Sequence, residues 1–302
     1  MPNNHPKLLL LSPWDPDPIK FSKFDYVTDR TDLEVLGVIC IWQPDPILLK
    51  SKLPKIWYYS EPTNSPIYKT PLWEQCLNAL KPHERLFHGH PSTHWRTPHI
   101  THVGSLTSLL TTSNRKSKAI AVVSNRGHRS PTKRSPQIAL RNHFCTAPNV
   151  DLYGKKDAWG SYRSSTFSIP KSPNNYCGPI PGRWSEMQKT EKVSQYKVAI
   201  CLENTLEPYY FTEKFVDAVR AGCIPIYNAH PTVASTVLEG AKWVDSNDFD
   251  NAQACVEFAL KEDLSTYQKQ NAAWLQNNAV HKTEKLTVYE RLGNLLLSSK
   301  GI

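Results

Sequence analysis

The stretch from Tyr196 to Tyr227 constrains the fold more than any other part of the chain. Tyr196 to Leu202 is a run of mostly apolar, partly β-branched residues, which reads as a buried strand. Thr212 then stands where a helix N-cap belongs. Residues 213–220 repeat apolar positions at helical period, and Gly222 falls where a C′ glycine ends a helix. Cys223 to Tyr227 is a second apolar strand. Strand, loop, helix and strand in about thirty residues is the unit of a parallel α/β sheet. Such sheets bind ligands beyond the carboxyl ends of their strands. The loop at that end carries Glu203, Asn204, Tyr210, Thr212, Glu213 and Lys214.

Those residue types suit a nucleotide sugar. A helix N-terminus favours a diphosphate, and Lys214 adds a positive charge there. Asn204 can bind ribose hydroxyls, Tyr210 can stack on or hydrogen-bond to a base or ribose, and Glu213 can accept bonds from sugar hydroxyls. Each also has a structural reading: Glu213 as a first-turn carboxylate, Lys214 as a solvated lysine, Tyr210 as a core aromatic. Their joint position after a buried strand favours the ligand site.

The same texture extends in both directions. Residues 118–123 and 150–154 read as strands, and 136–144, 252–260 and 265–297 as mainly helical. Upstream, residues 7–11, the apolar run 33–42 and residues 55–59 read as strands of another sheet, and 70–80 as a helix. With 302 residues the chain fits two domains of ordinary size. The expected fold class is α/β, with boundaries at 1–115, 116–275 and a helical C-terminal segment at 276–302. No Gly-x-Gly-x-x-Gly fingerprint and no Gly-Lys-Ser/Thr phosphate loop occurs, which argues against a P-loop kinase.

Charge and cysteine usage narrow the partners. Lys and Arg total 36 against 27 acidic residues, a balance that suits an anionic ligand. Eight basic residues and no acidic one lie between Arg115 and Arg141, which opens a rival reading as a polyanion-binding module. That rival leaves the loop at 203–214 without a purpose, so no nucleic-acid partner is expected. Six of the eleven histidines lie within residues 83–102, but Pro91 and Pro98 interrupt them and no helical ligand spacing occurs. Asp15-Pro16-Asp17 and Asp248-Phe249-Asp250 read as turns rather than metal triplets. No metal site is expected. The seven cysteines are scattered, with no Cys-x-x-Cys, so they suggest neither a disulfide framework nor zinc. No apolar run approaches a membrane span, no signal-peptide pattern is present and no heptad repeat is visible. These features point to a cytoplasmic protein without a transmembrane segment.

Three motifs in order carry a resemblance. They are Leu202-Glu203-Asn204-Thr205, then Tyr210-Phe211-Thr212-Glu213-Lys214, then Ala221-Gly222-Cys223-Ile224-Pro225-Ile226. The series resembles the donor-binding signature of the α-1,3/1,4-fucosyltransferases, glycosyltransferase family 10. That signature reads Phe-Glu-Asn-Ser/Thr, Tyr-Val-Thr-Glu-Lys, and Ala-Gly-x-x-Pro-Val/Ile. Leu202 and Phe211 depart from it mildly. Weaker similarity runs through Trp243 to Phe249. Val123-Ser124-Asn125, Leu140-Arg141-Asn142 and residues 150–154 are similar to the start of the family's donor domain. Trp57 to Pro62 resembles a family strand that ends in a glutamate close to a proline.

The resemblance implies two Rossmann-like domains facing a cleft (the GT-B arrangement), an N-terminal acceptor half and a C-terminal half that binds GDP-fucose. It implies that Ser124, Asn125, Arg141, Glu203, Asn204, Tyr210, Thr212, Glu213 and Lys214 bind the donor. Arg141, with Arg134 as rival, would reach the diphosphate. Glu61 would be the general base and Glu213 would stabilise positive charge on fucose. The implied reaction moves fucose with inversion to a GlcNAc-containing acceptor, an oligosaccharide or glycan, in α-1,3 linkage by the family's pattern. No cofactor is required, and a divalent metal is at most stimulatory. Other nucleotide sugars on the same fold remain open, as does a peripheral position at a membrane surface.

Overall fold

The computed structural model describes residues 5–12, 17–41, 44–59, 70–87, 109–110, 112–123, 136–154, 174–181, 187–276 and 285–299. Two compact units emerge: residues 1–98 together with 282–302, and residues 99–281.

The first unit holds a six-stranded sheet. Its strands are β1 (Lys7–Leu11), β2 (Ile19–Lys20), β3 (Asp25–Val27), β4 (Val35–Ile41), β5 (Lys55–Tyr59) and β6 (Arg85–Phe87), in the order β2-β3-β1-β4-β5-β6. Every pairing is parallel except that of β2 with β3. A parallel sheet is covered on both faces, which is why β1 and β4 read as unbroken apolar runs. Alternation then sorts the side chains. Leu8, Leu10, Ile39, Ile41 and Tyr58 belong to one core cluster, Leu9, Leu11, Val38, Cys40 and Trp57 to another. Helices α1 (Pro46–Lys50) and α2 (Pro71–Ala79) supply Leu48, Trp73 and Cys76 to the second cluster.

The first cluster is completed by residues from the far end of the chain. The last helix (Lys285–Ser298) contributes Val288, Tyr289, Leu292, Leu296 and Leu297. Tyr26 donates a hydrogen bond to the Tyr289 carbonyl at 2.7 Å. At Gly293 a Cβ would sit 2.1 Å from the Phe24 ring, so only glycine allows this approach. Residues 276–302 therefore do not stand apart as a terminal segment: the helix within them belongs to the first unit. The expected boundary near 115 also moves, to between Pro98 and His99. Arg115 shows the reason. Its guanidinium donates to the carbonyls of Leu110, Tyr196 and Ala221 at 2.9–3.0 Å, tying the segment before it into the second unit.

That second unit is a parallel five-stranded sheet of β7 (Lys116–Val122), β8 (Val150–Tyr153), β9 (Tyr196–Ile200), β10 (Ile224–Tyr227) and β11 (Val244–Asp245), in the order β11-β10-β9-β7-β8. Its helices are α3 (Pro136–Cys145), α4 (Met187–Ser194), α5 (Glu213–Arg220), α6 (Pro231–Ala234), α7 (Ala252–Lys261) and α8 (Leu264–Leu275), so the helix at 285–298 is α9. One face of the sheet packs on Phe215, Val219 and Trp274 from α5 and α8, the other on Phe144, Cys255 and Val256 from α3 and α7. Helix α5 ends as its sequence predicts. Gly222 has φ +69°, its N–H donates to Val219 O at 2.7 Å, and Cys223 N–H donates to Ala218 O at 3.1 Å. These are the two bonds of a Schellman motif.

Candidate functional site

The strand order places a site before any side chain is considered. β7 lies between β8 and β9, so the sheet's progression reverses between β7 and β9. At such a switch point the loops leaving the two strand ends diverge and open a crevice. A cavity of about 30 Å³ lies there, lined by Val122 at the end of β7 and Val123 after it, Cys201 after β9, and Lys189, Lys214 and Asp217 from α4 and α5.

Glu203, three residues past β9, is 1% exposed. A carboxylate so buried is tenable only if paired and hydrogen-bonded. The backbone N–H of Thr212 donates to it at 2.8 Å and the Thr212 hydroxyl lies 2.7 Å from both its oxygens. The Tyr227 hydroxyl donates to it at 3.2 Å from the end of β10. Lys214 completes the set, with Nζ 3.1 Å from Glu203 Oε2 and 2.8 Å from the Thr212 hydroxyl oxygen. Glu203 is thus a brace that fixes Thr212 and Lys214, not an exposed ligand group.

Thr212 takes the N-cap position of α5 but makes no side-chain cap bond, contrary to its sequence reading. Its hydroxyl is committed to Glu203, so it does not occupy the first-turn N–H groups of the helix. The N-terminal end of α5, with its partial positive charge, therefore carries no side-chain cap from Thr212.

Lys214 is held charged. Burial opposes its ammonium, but Glu203 and Glu213 outweigh that and raise its pKa, while Arg141 pushes the other way. Glu213 Oε1 is 3.7 Å from its Nζ. Arg141, on α3, is 3% exposed, and its Nη1 donates to Asn204 Oδ1 in a short bond. Two cations from separate helices are therefore brought close enough to repel one another, a tension that an anion between them relieves.

The structure thus brings together Arg141, Glu203, Asn204, Thr212, Glu213 and Lys214. Tyr210 is 5% exposed and packs into the protein, which favours its core reading. Its neighbour Tyr209 is only half-buried, adopts φ +59°, and donates its N–H to Thr232 Oγ1 at 2.7 Å. Glu61, Ser124, Asn125 and Arg134 lie outside the described residues, as do five of the six clustered histidines. Among the described residues no three His, Cys, Asp or Glu side chains converge as a metal site requires.

Four participants escaped the sequence reading. Gln137 on α3 and Asn228 after β10 exchange two amide hydrogen bonds, at 2.7 and 3.0 Å, and so tie the helix that bears Arg141 to the rim. Lys189 on α4 pairs with Asp217 on α5 at 2.7 Å. Asp217 had a visible signal: it lies four residues after Glu213, one helical turn on, and interrupts the apolar run of α5 between Val216 and Ala218. Lys189 and Gln137 had none. The basic run also looks different in three dimensions. Of its described members, Arg115 caps backbone carbonyls, Lys116 and Lys118 pair with Asp151, and Arg141 serves the rim.

Comparison with known proteins follows the same stretch. Residues 112–295, well over half of the chain, match the profile of a family described as glycosyltransferase family 10 (fucosyltransferase) C-term. An α-(1,3)-fucosyltransferase B of Drosophila melanogaster is 41% identical over 69 residues, 23% of this chain and 16% of that protein. A GDP-fucose protein O-fucosyltransferase 3 of Canis lupus familiaris is 32% identical over 78 residues, 26% of this chain and 14% of that protein. The matched stretches thus span about a sixth or less of these relatives' own length. A crystal structure of an α1,3-fucosyltransferase with GDP aligns over 98% of this chain and 92% of its own, at 16% identity and a TM-score of 0.45. No helix among the described residues is long and apolar enough to cross a membrane.

Proposed function

The chain belongs to glycosyltransferase family 10 (fucosyltransferase), and from that premise we propose that it transfers L-fucose from GDP-fucose to a hydroxyl of a GlcNAc-containing acceptor, with inversion and in α-1,3 linkage. The observation that carries this reading is the closeness of Arg141 to Lys214, which stands in the first turn of α5. A guanidinium and an ammonium held in place beforehand stabilise charge as it develops on a departing diphosphate. Glu213, one position before Lys214, supplies the negative charge that an oxocarbenium-like sugar requires. Asn204, which accepts a hydrogen bond from Arg141, is assigned to the nucleotide's ribose. The unit of residues 99–281 is the donor half and the other unit the acceptor half, with Glu61 as the base that takes the acceptor proton. The reaction so written needs no metal. A cytoplasmic setting fits the seven free thiols.

A second acceptor class has support from one observation. The canine relative is a protein O-fucosyltransferase, and its likeness falls on 78 residues. The donor-side chemistry is the same for a hydroxyl on a sugar or on a Ser or Thr side chain. Incubation of GDP-fucose with N-acetyllactosamine and a panel of hydroxyl-bearing peptides, followed by product analysis, decides between them. Fucosylated disaccharide is the expected product. Failure to bind GDP in calorimetry, together with no product from any acceptor, removes the donor assignment itself.

A further inference from the structure

The crevice holds a second buried ion pair that the donor assignment leaves without a task. Lys189 and Asp217 have side chains only 13% and 8% exposed, and their charged atoms lie 2.7 Å apart. Both line the cavity that Lys214 lines. They are also electrically joined to the rim. Burial opposes the charge on Lys189, but Asp217, then Glu213 and then Glu203 favour it and raise its pKa. Glu203 and Glu213 are the two carboxylates that hold Lys214 charged. The two lysines therefore draw on the same two carboxylates, and Asp217 is the partner that Lys189 has to itself.

The two cations of the cavity wall are each held against acids: Lys189 against Asp217, and Lys214 against Glu203 and Glu213. Cations paired in this way offer a diphosphate little net attraction. Binding must then come from where the charges sit: Lys214 braced at the rim, Lys189 drawn back one helical turn along α5 by Asp217. Loss of the Lys189 charge leaves Asp217 bare in the same cavity as Lys214. Among the described residues Lys214 is then the one cation left lining that cavity, and any shift toward Asp217 takes it away from the donor.

We propose that Lys189 is a positioning residue for the donor diphosphate, and that Asp217 sets how much of its charge the crevice feels. This rests on the donor reading above. The pair has two separable functions, stability and charge balance, and single substitutions move them differently. Both Lys189→Gln and Asp217→Asn break the ion pair, so both lower Tm. Their effects on ligand affinity have opposite signs. Lys189→Gln adds net negative charge to the cavity and weakens GDP binding by about tenfold. Asp217→Asn removes a negative charge, leaves Lys189 without its direct partner and tightens GDP binding by about threefold or more, with a steeper salt dependence.

The test is calorimetric titration of GDP, and of inorganic pyrophosphate as a base-free probe, into the wild type, Lys189→Gln, Asp217→Asn and Lys189→Arg. Thermal melts on the same samples report folding. Opposite shifts for the first two variants, with Lys189→Arg within threefold of wild type, support the proposal. A purely structural ion pair predicts lower Tm in both variants with affinity unchanged or weakened in both, and that result overturns it. If Lys189→Gln does not fold, Asp217→Asn decides alone, because tighter binding from a destabilised protein has no structural explanation. A wild type that binds neither GDP nor pyrophosphate overturns the donor reading and this inference with it. A wild type that binds GDP, with both variants shifted the same way, overturns this inference only.

Discussion

At Glu203 a single carboxylate collects hydrogen bonds from Thr212, Tyr227 and Lys214. Replacement by alanine leaves Lys214 short of its counter-charge in a buried place, a loss of about 3–5 kcal/mol for a broken buried pair. We expect Glu203→Ala to show that loss in denaturant unfolding, and Glu203→Gln, whose amide oxygen still accepts from Thr212 and Tyr227, to lose less. Lys214→Ala and Glu213→Ala should behave differently. Transfer should fall by about 10²–10³-fold or more, as for other preorganised charges, while circular dichroism stays native. Near-normal kcat/KM in either variant contradicts the donor assignment. The pH dependence has a defined sign. Lys214 has a raised pKa, so its contribution is complete below the ordinary lysine value of about 10.5 and disappears only as pH rises through the higher folded value. Donor affinity should show no loss from Lys214 between pH 6 and about 9.5, and an alkaline limb in that range would contradict the pairing with Glu203. If Glu61 takes the acceptor proton as proposed, Glu61→Gln should lower kcat strongly and leave GDP affinity within about twofold.

Helix α5 is the element on which the rim depends, and it is fixed at both ends by atoms outside it. Its start is held through Thr212 and Lys214 to Glu203. Its end is held by Gly222 and by Arg115, whose Nη2 would lie 2.7 Å from a Cβ at position 222. Gly222→Ala combines a positive φ with that clash and should destabilise the protein by about 1–3 kcal/mol, measured by urea unfolding. This element was legible in the sequence because strand period, helical period and terminal glycine agree over thirty residues. The strands β2, β3 and β6 were not, since two or three residues carry no period. The Thr212 side chain also misled: its residue type suits a cap bond, but a buried carboxylate nearby is the stronger acceptor. Lys189 was illegible for a further reason. Its partner Asp217 is 28 positions away, and no local pattern encodes which lysine meets a distant buried acid.

At the scale of the molecule, the cysteines give a direct check of the cores. Cys177 is exposed and the other six are buried. Burial pushes the thiols of Cys145, Cys223 and Cys255 up to about 12. A thiol reagent at pH 8 should label one cysteine in the native protein and all seven after unfolding. More than one native label would show that a core is open. The first unit offers a second check. Leu292 is fully buried against β-strand residues that precede it by more than 200 positions. Leu292→Ala should cost about 2–5 kcal/mol and reduce hydrogen-exchange protection in β1 and β4 more than in β7 and β9. The family motifs in residues 196–227 made the unit of residues 99–281 readable. No periodicity could have revealed that residues 285–298 complete the other half, because an amphipathic helix announces that it needs a partner without naming it.

The placement of α9 has a consequence for synthesis. The chain leaves the first unit after residue 98, builds residues 99–281, and only then makes the helix that completes the sheet it began with. On the ribosome, residues 99–281 hold everything their own core requires as soon as they emerge. The earlier unit must wait, with Leu8, Phe24, Tyr26 and Ile39 lacking their cover, for as long as about two hundred further residues take to translate, roughly ten to forty seconds at ordinary elongation rates. The half assigned to the acceptor is therefore the first begun and the last finished, and throughout that interval its unclosed apolar face is open to chaperones or to aggregation.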